Sequence, residues 1–410
     1  MLTVLRPDLM LRVHRIPVGL CVLDGGESEP PLLIVKGIKE AILAARIRRG
    51  FAVYIVPVHV DGVESVSLIT AFFDDPDEPL VVRSPLFAND PHSLSLMDFL
   101  LSSEGQVHFF DEHSREMLAY GCRIGVPAST RKLLETANLV EYGHGKWRGI
   151  DDQAQEWFSV RTTAHDAGAI RVELLEPLMP EDIAYIDGTP GNTSYLGSDA
   201  VTTTSLVRTQ PGPFQEHDIA LLLQRLFDST QVIRGPLRTN DKEEVADFIV
   251  VTPDTLLIIQ AKDSPNTEQI LAKSIEKKKA ATLRHLKKAL GQIRGAIGYA
   301  RREPLLRMIV EGKEVALDVS GKRWLALAVV KELFNNEYET YSPMILEVAK
   351  ATSVPCIAID YVELNMYTAN LGDEKAFVAA FDRVFEFGER TGMLPRLRIG
   401  PGDVQDFNSQ

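Results

Sequence analysis

The sequence predicts an α+β block followed by an α/β block in which a central mixed sheet is flanked by helices. Three observations predict this. A stretch rich in chain breakers and small polar residues (Asp187-Gly-Thr-Pro-Gly-Asn-Thr-Ser, Gly197-Ser-Asp-Ala-Val-Thr-Thr-Thr-Ser, Thr209-Gln-Pro-Gly-Pro) divides residues 1–190 from residues 214–395, with a linker at 191–213 and a tail at 396–410. Before it, short strand-like segments mix with helical ones. After it, a helix, three strands, a long helix and a strand follow in that order. With 410 residues, 45% of them hydrophobic, the chain has apolar material for two cores.

In the first block, Leu32-Leu-Ile-Val reads as a strand and Ile38–Arg49 as a helix. Phe51–Val60 and Glu64–Phe73 form a hairpin across Asp61-Gly62, the strongest short turn signal in the chain. A strand at Pro79–Arg83, a helix near Ser93–Leu101, strands at Gln106–Phe110 and Leu118–Ile124 and a helix near Ser129–Leu139 complete the block. Its chemistry is thin. His108 and His113 flank Asp111-Glu112, but no third ligand has metal-site spacing, so a strand turn with satisfied polar groups is the better reading. Gly143-His-Gly-Lys-Trp-Arg-Gly149 lacks both the preceding strand and the G-K-[ST] ending of a phosphate loop, and reads as a surface turn.

In the second block, Phe214–Phe227 has helical apolar spacing and Gln231–Arg234 reads as a strand. The decisive segment is Val245-Ala-Asp-Phe-Ile-Val-Val-Thr-Pro-Asp-Thr-Leu-Leu-Ile-Ile-Gln-Ala-Lys262. Two apolar runs flank a Thr-Pro-Asp-Thr turn, and polar residues stand where core strands should have none. A turn centred on Pro253-Asp254 pairs residues whose numbers sum to 507, placing Asp247 opposite Gln260. Period-two alternation puts Lys262 on the same face. A long helix at Ile275–Arg302 carries a Leu/Ile stripe, strands follow at Trp324–Lys331 and Val354–Asp360, and a last helix spans Glu374–Glu389.

Residues 214–365 resemble the PD-(D/E)XK nuclease superfamily. Ala246-Asp247 stands for its Pro-Asp half-motif and Gln260-Ala261-Lys262 for its (D/E)XK half. Pro is absent and the second acid is Gln, a QXK form found in Mrr-type restriction enzymes and nuclease-related-domain proteins. The helix, three strands, helix, strand order also matches that superfamily's core, so the resemblance implies a restriction-endonuclease-like fold. It further implies Mg²⁺ (or Mn²⁺) bound by Asp247, by the Gln260 side-chain oxygen or the Ala261 carbonyl, and by a helix-borne acid, for which Glu216 is the candidate. Lys262 would orient the attacking water or stabilise developing charge. A first-turn acid such as Glu216 also suits the helix dipole. Glu243 and Glu244 are the alternative acids, read as facing water. Some relatives place a Gln and a Tyr on the long helix against substrate, as Gln292 and Tyr299 are placed here, although an exposed pair fits the spacing better. His217 and His285 read as solvent-exposed.

Charge adds a partner. The chain carries a net −13, yet residues 270–331 hold fifteen Lys/Arg against five acids, a net +10. On the long helix, Lys277, Lys278, Arg284, Lys287, Lys288, Gln292 and Arg294 are the candidate nucleic-acid contacts, against the alternative of a solvated helix face. Cys21, Cys122 and Cys356 are widely spaced, which suits core residues in a reducing cytoplasm. No signal-peptide pattern or long apolar run indicates a membrane. The expectation is a cytoplasmic, Mg²⁺-dependent nuclease acting on DNA in preference to RNA, suited to restriction or anti-phage defence. The first block would recognise or regulate, through self-association or a protein partner. The alternative is an inactive nuclease fold used as a binding scaffold.

Overall fold

The computed structural model describes residues 1–396 apart from 17, 26–30, 76, 84–87, 141–146, 187–200, 204 and 304. The chain is a mixed α/β molecule that divides into two compact units. The first contains Met1–Ala184, Thr203–Thr209 and Asn266–Lys273; the second contains Tyr185–Thr202, Gln210–Pro265 and the chain from Ser274.

The first unit comprises α1 (Leu2–Leu5), α2 (Pro7–Arg15), β1 (Gly19–Leu23), β2 (Leu32–Lys36), α3 (Lys39–Arg48), β3 (Gly50–Val60), β4 (Val63–Phe72), β5 (Leu80–Arg83) and α4 (Pro91–Leu101). It continues with β6 (Glu104–Phe110), β7 (Glu116–Gly125), α5 (Ala128–Thr136), α6 (Trp147–Ser159), α7 (Thr163–Gly168) and β8 (Ile170–Pro177). The strands form one mixed sheet in the order β1-β2-β6-β7-β8-β3-β4-β5, antiparallel except for the β2–β6 pair. The β3–β4 hairpin turns at Asp61-Gly62, both at positive φ (52° and 81°), as a tight two-residue hairpin requires. Alternation along β3 sends Phe51, Val53 and Ile55 into one core and Ala52, Tyr54, Val56 and Val58 into another. Both faces of this hairpin are therefore buried.

A two-stranded ribbon, β9 (Ala184–Ile186) and β10 (Val201–Thr203), precedes the main body of the second unit. That body contains α8 (Gly212–Leu223), β11 (Val232–Arg234), β12 (Leu237–Arg238), β13 (Phe248–Val251) and β14 (Thr255–Lys262). After the one-turn α9 (Glu268–Leu271), which belongs to the first unit, come α10 (Ile275–Ala300), β15 (Leu305–Val310), β16 (Lys313–Asp318) and β17 (Arg323–Val330). Then follow α11 (Tyr338–Thr352), β18 (Cys356–Asp360), α12 (Tyr361–Asn370) and α13 (Glu374–Thr391). The central sheet has the order β11-β13-β14-β17-β18, and β12, β15 and β16 form a separate three-stranded sheet.

The hairpin register is the expected one: Phe248 pairs with Ile259, Ile249 with Ile258, Val250 with Leu257 and Val251 with Leu256. The turn closes through Thr252 N–H to the Thr255 carbonyl (3.0 Å) and Thr255 N–H to Thr252 Oγ1 (3.0 Å). β14 then runs parallel to β17, from Thr255 opposite Arg323 to Lys262 opposite Val330. A parallel pair needs a crossover, and α10 supplies it. Leu286, Leu290, Ile293 and Ile297 of α10 are buried at three- and four-residue steps. Each such side chain contributes about 1.5–3 kcal/mol by burial.

Several elements depart from the sequence reading. α1, α2, β1, α6, α7, β8, the β15–β16 hairpin, α11 and α12 are additional. α11 accommodates Pro343 within its length, the residue that argues against a helix there. Thr203–Thr209 and Asn266–Lys273 group with the first unit, which cuts across both the 191–213 linker and the 214–395 block. The bridge between Arg208 and Asn266 ties these two segments together. The tail beyond 396 and residues 191–200 lie outside the described residues, as do residues 143–146 of the Gly143–Gly149 stretch. Trp147 already begins α6.

Candidate active site

Asp247 lies one step beyond the β13–β14 ladder, opposite Gln260, and is buried. Its Oδ2 accepts from the Ala261 backbone N–H (2.5 Å) and from Lys262 Nζ (3.1 Å). Lys262 Nζ also donates to the Ala261 carbonyl (2.7 Å). The ammonium therefore bridges two oxygens that the sequence reading assigns to a metal. Gly235 N–H donates to the Asp247 carbonyl (2.9 Å), fixing the backbone from the other side.

Gln260 is 2% exposed, and its Oε1 is fully buried with no hydrogen-bond donor among the described residues. A buried amide oxygen left unmatched costs about 1–3 kcal/mol. A cation would satisfy it.

Glu216 stands on α8 with Oε2 3.2 Å from Arg234 Nε. Burial raises its carboxyl above the ordinary range; Arg234 opposes this, and the Asp247 carboxylate adds to it. Glu216 is thus within electrostatic range of Asp247 and Lys262, with one oxygen held by Arg234.

Glu244 is exposed, as expected of the alternative acids, and still feels the charge of the site. The side chain keeps exposed surface, yet its carboxyl is pushed up to about 7. Desolvation is the main cause, followed by the Asp247 and Glu216 carboxylates. Strand alternation from Asp247 would point Glu244 to the opposite face. The pairing slips by one residue there: Arg234 pairs with Phe248 but Leu237 bridges Glu244, and on the partner segment a Cβ on Gly235, at φ +54°, would lie 3.3 Å from Glu244 Oε1. The glycine leaves room for the carboxylate. Gly235-Pro236 was the available signal in the sequence. Glu243 is exposed as well and pairs with Arg238 (3.5 Å).

Three carboxylates (Glu216, Glu244, Asp247) face two cations (Lys262, Arg234), and a buried amide oxygen lacks a donor. Carboxylate and amide oxygens are the ligands a hard divalent cation takes, though these three carboxylates do not all lie within 4.8 Å of one another.

Around α10 the candidate contacts separate. At 100° per residue, Lys277, Arg284 and Lys288 lie on one stripe, Lys278 and Gln292 on the next, and Lys287 and Arg294 on another. Arg294 pairs with Glu347 of α11 (3.5 Å). Lys277, Arg284, Lys287 and Lys288 are exposed. Gln292 Oε1 is buried with no donor among the described residues. Tyr299 is not an exposed residue: its hydroxyl donates to the Arg307 carbonyl (2.7 Å) and accepts from Thr239 N–H (3.2 Å), pinning α10 to the β12–β15 pair. His285 is half-buried, 3.4 Å from Ser264 Oγ through Nδ1.

A second acidic cluster in this unit is compensated. Asp360 caps α12 and meets Arg396 Nη2 at 2.5 Å, and Glu363 meets Arg396 Nε at 3.4 Å. In the first unit, His108 and Glu116 form a buried pair at 3.0 Å, and Lys39 and Arg115 neutralise Asp111 and Glu112. No helix among the described residues is long and apolar enough to cross a membrane.

No model of a known protein family matches this chain, and a search of curated proteins finds no match either.

Proposed function

We propose that the second unit is a metal-dependent nuclease that hydrolyses phosphodiester bonds, with DNA the first substrate to test. The single observation that carries this reading is the Asp247–Lys262 pair (3.1 Å) at the ends of two paired strands, with the unmatched Gln260 oxygen on the strand opposite Asp247 and the Glu244 and Glu216 carboxyls raised by burial and by the Asp247 charge. With β12, α9 and the β15–β16 hairpin set aside as insertions, the run α8, β11, β13, β14, α10, β17 is compatible with the helix, three strands, helix, strand order of the restriction-endonuclease-like fold.

Asp247, Glu244, the Gln260 oxygen and the Ala261 carbonyl would hold Mg²⁺ or Mn²⁺, with Glu216 available once Arg234 releases it. The bound ion supplies charge neutralisation at the phosphate and a lowered pKa for bound water. Glu244 deepens the acid set and replaces the charge that Gln260 lacks. Lys262, freed from the Ala261 carbonyl, donates from Nζ to a phosphate oxygen or holds the attacking water. Lys277, Arg284 and Lys288 offer the strand a single cationic stripe.

Gln260 also favours a second reading, a nuclease fold retained for binding. Incubation of the purified protein with DNA and with RNA, in Mg²⁺ and in EDTA, divides the two. Metal-dependent cleavage of either substrate supports the nuclease. Binding without cleavage in every condition favours the scaffold.

A further inference from the structure

A group of cations gathers around His285 where β14 and β17 end. β14 ends at Lys262, in register with Val330, the last residue of β17, so Lys331 leaves the sheet on the neighbouring parallel strand. Parallel neighbours lie about 4.8 Å apart, which brings the two chain exits together. His285 of α10, the helix joining these strands, reaches Ser264 Oγ through Nδ1 at 3.4 Å. Arg284 and Lys288 are one and three residues away on the same helix. Among the described residues His285 Nε2 makes no hydrogen bond, and the ring is half-buried. One acid, Asp263, borders the group and accepts from Ser264 N–H (2.6 Å).

We propose that His285, Ser264, Lys288 and Lys331 form a seat for a phosphate oxyanion, and that it holds the phosphate next to the one at the Asp247–Lys262 centre. This assignment of substrate contacts rests on the nuclease reading. His285 suits the role because burial, then the charges of Arg284, Lys288, Lys262 and Lys331, hold its imidazole below the ordinary histidine range. A neutral ring that takes the Ser264 proton at Nδ1 keeps its own at Nε2 and donates it to the anion. The two lysines supply charge and the imidazole supplies direction. His285 here is a binding residue rather than a bystander on the helix surface.

Two sources could supply the phosphate: an internal phosphodiester or a strand terminus. Anisotropy titrations in EDTA separate them, using 5′-phosphorylated, 5′-hydroxyl and closed circular duplexes with the full-length protein. An internal phosphate makes all three bind alike, whereas a terminal one favours the 5′-phosphorylated duplex about tenfold. In either case His285→Ala weakens the preferred duplex several-fold. Lys288→Ala with Lys331→Ala also lowers the salt slope by about 0.9 for each phosphate released.

A second measurement needs no nucleic acid. Inorganic phosphate is titrated into the protein while the histidine ring signals are followed by NMR, the His285 signal being identified by its loss in His285→Gln. A saturable His285 shift that disappears in Lys288→Ala/Lys331→Ala supports the seat. No shift, or a shift that survives in that double variant, overturns it. A protein that cleaves DNA while His285 stays silent sinks the seat alone. A protein that cleaves nothing but shows the lysine-dependent shift keeps the seat and sinks the nuclease.

Discussion

Two acid-rich turns of this molecule differ in how completely their charges are matched. In the β6–β7 turn of the first unit, Asp111 accepts from His113 N–H (3.0 Å), Arg115 N–H (2.9 Å) and Arg115 Nε (2.7 Å), and Lys39 lies 3.7 Å away. Glu116 is buried too. It accepts from Leu2 N–H and Thr3 N–H (both 2.9 Å) and from Thr3 Oγ1 (3.0 Å), and these bonds with His108 hold its carboxyl below the ordinary range despite burial. Two atoms, His108 Nε2 and Glu112 Oε2, are left without a hydrogen bond there. In the second unit, three acids share two cations, Glu244 is pushed up to about 7, and Gln260 Oε1 has no donor among the described residues. A turn whose charges are matched in place holds a fold. A turn left short of positive charge is built for something to arrive.

The largest expected effect is at Arg115. Arg115→Ala strips a buried carboxylate of its main partner and should cost about 3–5 kcal/mol, measured by denaturant unfolding. Lys262→Ala faces the opposite imbalance. It should cost no more than about 1–3 kcal/mol, the range for a lost charged hydrogen bond, while cleavage falls by about 10²–10³-fold, as for loss of a charge-stabilising donor. If Lys262→Ala destabilises as strongly as Arg115→Ala, the two turns are the same kind of object.

Gln260 sharpens the contrast. Gln260→Leu removes a buried unmatched acceptor and should stabilise the metal-free protein by about 1 kcal/mol, while weakening its thermal response to Mg²⁺. A loss of metal-free stability would mean that the amide is already satisfied.

The smallest effect concerns pH. Glu244 has a folded pKa of about 7 against an ordinary value of 4.5, so the folded protein holds this proton more tightly. Its contribution to stability is fully present below about 4.5 and is lost as pH rises through about 7. Glu244→Gln should flatten the melting temperature across that window, by less than about 1 kcal/mol because the side chain keeps exposed surface. An unchanged profile would place Glu244 outside the cluster.

Much of this was legible in the residues. Asp61-Gly62 marked its hairpin, and the Thr-Pro-Asp-Thr turn set a register that the ladder from Phe248 to Val251 follows. The Leu286–Ile297 stripe marked α10 by period alone. Glu244 was not legible, because alternation holds only while the pairing stays regular, and the register slips by one residue between Glu244 and Phe248. Nor was His285: its neighbours Ser264 and Lys331 come from strand ends distant in sequence, and only parallel pairing of β14 with β17 gathers them. The allocation of Asn266–Lys273 was hidden for a similar reason, since its backbone partner is Arg208.

The most direct test compares initial rates of Mg²⁺-dependent DNA cleavage for the wild type, Asp247→Ala and Lys262→Ala, with folding of each checked by circular dichroism. Cleavage by the wild type, abolished by EDTA and lost in both folded variants, is the predicted result. Cleavage that survives in both variants contradicts the account.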